Sequence, residues 1–216
     1  MIPPAGGVVY VPEHFRAPGQ EAVMSLLRSA GMVDLVTSTQ SGLLATPLPM
    51  LYDGSARQHG SLVGHVARNN PHCRRPAIGD ALVIVHGPDS YITPTWYATT
   101  REHGRVVPTW DYVVAHVYGR LIVHDDVDWL AAHVRRLTEH HEADLHPQWT
   151  VDSAPAPFVA GQLHAIVGVE VAIDRIEAKY KLSQNRSRAD VEGVVAGLAA
   201  GGDAGTAEAV RRASAG

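Results

Sequence analysis

One cysteine, Cys73, stands in 216 residues. It excludes an internal disulfide and a zinc knuckle built on paired cysteines. Lysine is almost as scarce. Only Lys179 and Lys181 occur, and arginine carries the rest of the positive charge. The net charge of −4 lacks the basic excess that broad electrostatic binding of nucleic acid requires. No apolar run approaches the roughly 20 residues of a membrane-spanning helix. The N-terminal Met1-Ile2-Pro3-Pro4 opens no charged leader followed by an apolar core. The expectation is a cytoplasmic protein with no membrane partner and no nucleic acid.

Several reaction signatures are also missing. Ser153 and Ser183 lie in no G-x-S-x-G elbow, and neither Gly87 nor Gly104 belongs to a G-x-G-x-x-G loop. The run His140-His141-Glu142-Ala143-Asp144-Leu145-His146 places His141 and His146 five apart, about 140° around a helix. They do not converge on a zinc ion, and a solvated helix end is the better reading. Cys73 beside Arg74 and Arg75 reads either as an incidental loop thiol or as one of lowered pKa.

The apolar share of 45% is enough for a core, so a single domain over 1–200 is expected, with a glycine-rich, flexible tail over 201–216. Short β runs are predicted over 8–11, 32–39, 43–52, 61–67, 81–86, 91–92, 112–124 and 165–176. Pro47 and Pro49 interrupt the run over 43–52 and demote it to an edge or a bulge. Gly87-Pro88-Asp89-Ser90 and 99–105 read as turn and loop, and 154–157 as a proline-rich linker. Helices are predicted over 20–30, 126–141 and 189–200. The second has Val127, Leu130, Val134, Leu137 and His141 on one stripe and Asp125 or Asp126 as cap. Consecutive strands joined by short turns give a mostly antiparallel sheet. The fold class is α+β, a split β-barrel with peripheral helices.

Within this frame Gly64-His65-Val66-Ala67-Arg68-Asn69-Asn70-Pro71 is the most informative stretch. A strand delivers His65 on a fixed element, and the loop after it offers donors to a carboxylate or phosphate. The alternative is a satisfied core histidine at a strand end. Three further clusters join it: Tyr91-Ile92-Thr93-Pro94-Thr95-Trp96-Tyr97, Val107-Pro108-Thr109-Trp110-Asp111-Tyr112, and the basic turn Lys179-Tyr180-Lys181-Leu182-Ser183-Gln184-Asn185-Arg186. Flat aromatic walls beside cations and amides suit a planar, anionic cofactor.

These segments, with Tyr10-Val11-Pro12, resemble in order the PaiB-like proteins, often labelled FMN-binding negative transcriptional regulators. The resemblance spans roughly residues 10 to 190. It implies an FMN-binding split barrel and a homodimer with cofactor sites near the subunit interface. The chain departs from the family's pattern at Pro47 and Asp89, where histidine is usual, and near Cys73, where tryptophan is usual, while His65 is kept. That combination is similar to one branch, the haem-dependent piperazate synthases of peptide natural-product biosynthesis. The branch implies haem b in place of FMN, and intramolecular N–N bond formation converting N5-hydroxy-L-ornithine to L-piperazate and water. His65 is then the axial iron ligand. Arg68 and Asn69 are the propionate contacts, with Arg68 also near the chemistry. Lys181, Gln184, Asn185 and Arg186 hold substrate carboxylate or propionate, and Tyr91, Trp96 and Trp110 line the cavity. FMN remains the alternative cofactor, with a regulatory or redox role.

Overall fold

A computed structural model describes residues 9–55 and 58–214. The described residues form six strands: β1 (Met32–Thr39), β2 (Gly42–Asp53), β3 (Ser61–Ala67), β4 (Ala81–Ile92), β5 (Thr109–His124) and β6 (Ile166–Lys181). They close in the order β1-β2-β3-β6-β5-β4. β1 pairs antiparallel with β2 and β4, and β3 with β2 and β6. The helices are α1 (Gln20–Arg28), α2 (Ala98–Glu102), α3 (Val127–Glu142), α4 (Ala156–His164), α5 (Arg188–Ala200) and α6 (Ala204–Ala213). The α+β barrel with peripheral helices is therefore observed. Among the described residues no helix is long and apolar enough to cross a membrane.

The chain divides into two compact units. One holds residues 9–26, 86–116 and 177–214, the other 27–85 and 117–176. In the second unit, period-two alternation buries Val33, Leu35, Thr37 and Thr39 of β1, as a strand with one face on a core requires. Pro47 and Pro49 face Asp34 and Met32 of β1. Pairing of β2 to β3 begins only at Met50, so neither proline removes a donor from a β3 rung, in keeping with the expected edge character. In the first unit, α5 buries Val191, Val194 and Leu198, the one-sided spacing of an amphipathic helix.

Several local expectations are corrected. No strand covers 9–11, and Val8 lies outside the described residues. The expected turn at Gly87 to Ser90 is part of β4. Gly87 marks a close approach, since a Cβ there would lie 2.8 Å from Cβ of Val113. α2 forms within the expected loop over 99–105. The linker at 154–157 opens α4, with Pro155 at its N-cap and Pro157 in its first turn, where a missing N–H costs nothing. Within the expected tail, residues Ala204–Ala213 form α6. Asp203 caps α6 through the Thr206 N–H (3.0 Å), and Thr206, Ala207 and Val210 are buried. Its small residues hid that periodicity.

The tightest packing in the second unit sets a test. A Cβ at Gly119 of β5 would overlap the carbonyl oxygen of Ala172 on β6. Gly119→Ala is expected to cost about 2–3 kcal/mol by overpacking. Gly161→Ala in α4, where nothing lies within 4 Å, should be neutral or gain up to ~1 kcal/mol. Urea midpoints of both variants check the contrast.

Candidate functional site

β3 buries Leu62, Val63, Gly64 and Val66 and leaves His65 half-buried. His65 faces Gly168 across the β3–β6 rung. Gly168 has no side chain, and any Cβ there would overlap the indole of Trp129. Helix α3 therefore lies close against this wall. Four residues after Trp129, one turn on, it places His133, whose Nε2 is 3.2 Å from Nδ1 of His65. The two rings meet edge-to-face at 5.3 Å between centroids. Trp129 stacks on His133 at 5.3 Å and, nearly parallel, on His124 at 4.2 Å. His124 Nε2 donates to Oε2 of Glu170 at 2.8 Å. The result is one run of contacts: Glu170, His124, Trp129, His133, His65.

Burial lowers the pKa of His65. His133, 1% exposed, is held down to about 4 by burial and then by the neighbouring His65 and Arg136 charges. Both rings are neutral at pH 7, so one donates and the other accepts. Nε2 of His65 takes no hydrogen bond from a described residue, and Nδ1 of His133 is buried without a partner. A neutral imidazole with one nitrogen held and the other free is the form in which histidine ligates a metal. Nε2 of His65 is thus a donor of the kind that can ligate iron or another metal.

The loop after His65 is more structural than expected. Arg68 donates through Nε to the carbonyl of His164 (2.7 Å), through both Nη atoms to Asp125 (2.9 and 2.7 Å), and through Nη2 to the carbonyl of Ile166 (3.0 Å). Four of its five N–H groups are engaged, so the arginine expected to anchor an anion instead clamps β3 to the start of β6. Asn70 caps the turn at Pro71 through the His72 N–H (2.9 Å). Asn69 is exposed and makes no side-chain bond to a described residue.

The other candidates lie in the first unit. Lys181 Nζ donates to Thr109 Oγ1 (2.7 Å), to the Trp110 carbonyl (2.5 Å) and, at 3.4 Å, to Asp111. Asp111 is fully buried and also accepts from the Ser183 hydroxyl at 2.7 Å. Burial pushes its carboxyl up, against the pull of Ser183 and Lys181. Ser183 adopts φ 62°, a left-handed conformation uncommon outside glycine. Gln184 accepts from the Leu182 N–H (2.7 Å) and donates to the Tyr180 carbonyl (2.5 Å). Lys181 and Gln184 therefore hold the turn itself. Asn185 is exposed, and Arg186 lies 4.6 Å over the Tyr97 ring.

The three aromatic candidates separate. Tyr91 and Trp110 pair edge-on at 6.1 Å and are half-exposed, and Trp110 Nε1 donates to Asp89 (2.8 Å). Trp96 is not a cavity wall of this kind. Its carbonyl and ring fill the space left by Gly193 and Gly197 on α5. A cleft of about 1190 Å³ in the same unit is lined by Arg16, Gln184, Arg186, Arg188, Arg211 and Arg212 over Val191 and Val195. His65, Arg68 and Asn69 belong to one unit and the remaining seven candidates to the other. Sequence reasoning missed His133, Trp129 and Asp111. His133 falls three residues after Leu130 and four before Leu137, so the helical stripe carried its signal.

A family model described as "Putative FMN-binding domain" matches residues 9–175. The chain belongs to this FMN-binding family. It is 31% identical over 188 residues to the Bacillus subtilis (strain 168) protein named Protease synthase and sporulation protein PAI 2, covering 87% of each chain. Among solved structures, the conserved hypothetical protein Rv2991 from Mycobacterium tuberculosis gives a TM-score of 0.56 at 10% identity, over 82% of this chain and 94% of that one. The flavocytochrome Anf3 from Azotobacter vinelandii gives 0.52 at 14% identity, over 75% and 67%. At these identities the structures establish the shared fold alone.

The buried histidine makes stability depend on pH. Its folded pKa, about 4, lies below the ordinary 6.5, so the unfolded chain binds the proton more readily. Stability is complete above pH 6.5 and falls as pH drops towards 4, by roughly 1 kcal/mol per pH unit at the steepest. Urea titrations from pH 7 to pH 4.5 should show this loss in the parent protein and a smaller one in His133→Gln.

Proposed function

We propose that this protein is a haem-dependent enzyme that forms an N–N bond within N5-hydroxy-L-ornithine, giving L-piperazate and water. The observation that carries the reading is the neutral His65 imidazole, whose Nε2 has no partner among the described residues while Nδ1 is held by His133. A fold neighbour named a flavocytochrome is in keeping with it. His65 would bind the iron through Nε2. Bound haem would supply a Lewis acid that weakens the hydroxylamine N–O bond. In the balanced reaction the N5–O bond breaks, the α-nitrogen bonds N5, and the hydroxyl leaves as water with a proton from the amine. Within the first unit, Asn185 and Arg186 are the residues of the basic turn that remain available to an anion, because Lys181 and Gln184 are engaged within that turn. Fixing the substrate carboxylate restricts a flexible chain to ring-closing conformers, and such positioning supplies several kcal/mol.

The active species is proposed to be a homodimer. Tyr91 and Trp110, paired and half-exposed, and the exposed Tyr10 and Val107 of the same unit offer apolar side chains to a second copy of the chain. Light scattering of the eluting protein should give twice the chain mass, and a monomer at working concentration refutes this part.

A second reading is a flavin-binding regulator or redox protein. It is favoured by the family's description and by the arginine-lined cleft, which suits a phosphate. The visible spectrum separates the two. The haem reading expects a red protein with a Soret band that His65→Ala weakens or abolishes, along with turnover of the hydroxylated amino acid. A yellow protein with flavin bands, or an unchanged Soret band at full occupancy in His65→Ala, would sink it.

A further inference from the structure

We infer that His133 is the positioning residue of His65, accepting its Nδ1 proton so that the Nε2 lone pair is presented as the ligand nitrogen. The inference rests on the haem reading of His65 and extends it to a residue that never touches the iron.

The geometry carries it in three steps. First, the only hydrogen bond of the His133 ring to a described residue is the 3.2 Å contact between its Nε2 and His65 Nδ1; its other nitrogen is buried and unpartnered. Nothing else in its surroundings competes for the ring. Second, the ring cannot turn away. It is buried to 1% exposure, stacked on Trp129, and borne by a helix seated on Gly168. Third, ligation decides the direction of the bond. Two neutral imidazoles can share a proton either way round, but a His65 that ligates through Nε2 must carry its own proton on Nδ1, and His133 can then only accept.

The cost is visible in the fold. With Nε2 accepting, the second N–H of His133 is buried with no partner among the described residues, which is unfavourable for a buried donor. A ring retained only for packing would be replaced without penalty by an apolar one. A ring retained to fix the ligand tautomer would not.

The test compares the haem-loaded protein with loaded His133→Phe and His133→Gln. The readouts are the rate of haem transfer to apomyoglobin and the iron–histidine stretching band of the ferrous form. His133→Phe should lose haem about 10–100-fold faster and show the band at lower frequency. His133→Gln, whose side-chain oxygen can accept, should recover most of both. If His133→Phe does not fold, the exchangeable Nδ1 proton of His65 in the loaded parent protein decides by NMR. Slow exchange supports the inference and rapid exchange overturns it. A band and transfer rate indifferent to position 133 overturn this inference alone. A parent protein with no iron–histidine band overturns the haem reading and the inference with it.

Discussion

Helix α3 can seat against the β3–β6 wall only because residue 168 has no side chain. A single Cβ there would occupy the indole of Trp129. With the glycine, the Trp129 indole packs against the strand at this position and brings the helix close to it. One turn later His133 arrives within hydrogen-bond distance of His65. The histidine on β3 owes its rigid setting to a residue on β6 and a residue on α3, neither of which is near it in sequence. Arg68 then ties the end of the same strand to the backbone at His164 and Ile166, so the strand that carries His65 is held on both sides.

The first unit follows a different logic. Its organising group is Asp111, a carboxylate fully removed from water. Leaving it unpaired would be costly, so Lys181 and Ser183 come to it, and Ser183 takes up a left-handed backbone to do so. Lys181-Leu182-Ser183-Gln184 is for this reason mainly a self-supporting turn. Beyond it, Asn185 is exposed and Arg186 lines a cleft rich in arginine. The positive residues that look alike in the sequence divide into those that build the turn and those that remain available to a ligand.

Much of the barrel was legible because its strands alternate cleanly and its helices carry one-sided stripes. β1, β3, α1, α3 and α5 fall within a residue or two of expectation. Three of the departures turn on proline and glycine, which read as punctuation in a sequence but need not break an element. Pro155 and Pro157 begin a helix, Gly87 admits Val113, and the small residues after Gly201 form a capped helix with only Val210 as a large apolar anchor. At the site, His65 was legible from its strand and the polar loop. His133 was obscured because a histidine on an apolar stripe looks like an interruption of it. Arg68, Lys181, Gln184 and Trp96 were read as ligand contacts because sequence shows a side chain's chemistry but not which backbone carbonyls or glycines already occupy it.

The central claim is that His65 is a ligand nitrogen backed by His133, and a crystal structure of the protein purified with its own cofactor tests it most directly. The account expects iron bonded to Nε2 of His65, with Nδ1 still hydrogen-bonded to His133. A flavin in the pocket with no metal at His65, or iron held by another side chain, would contradict it.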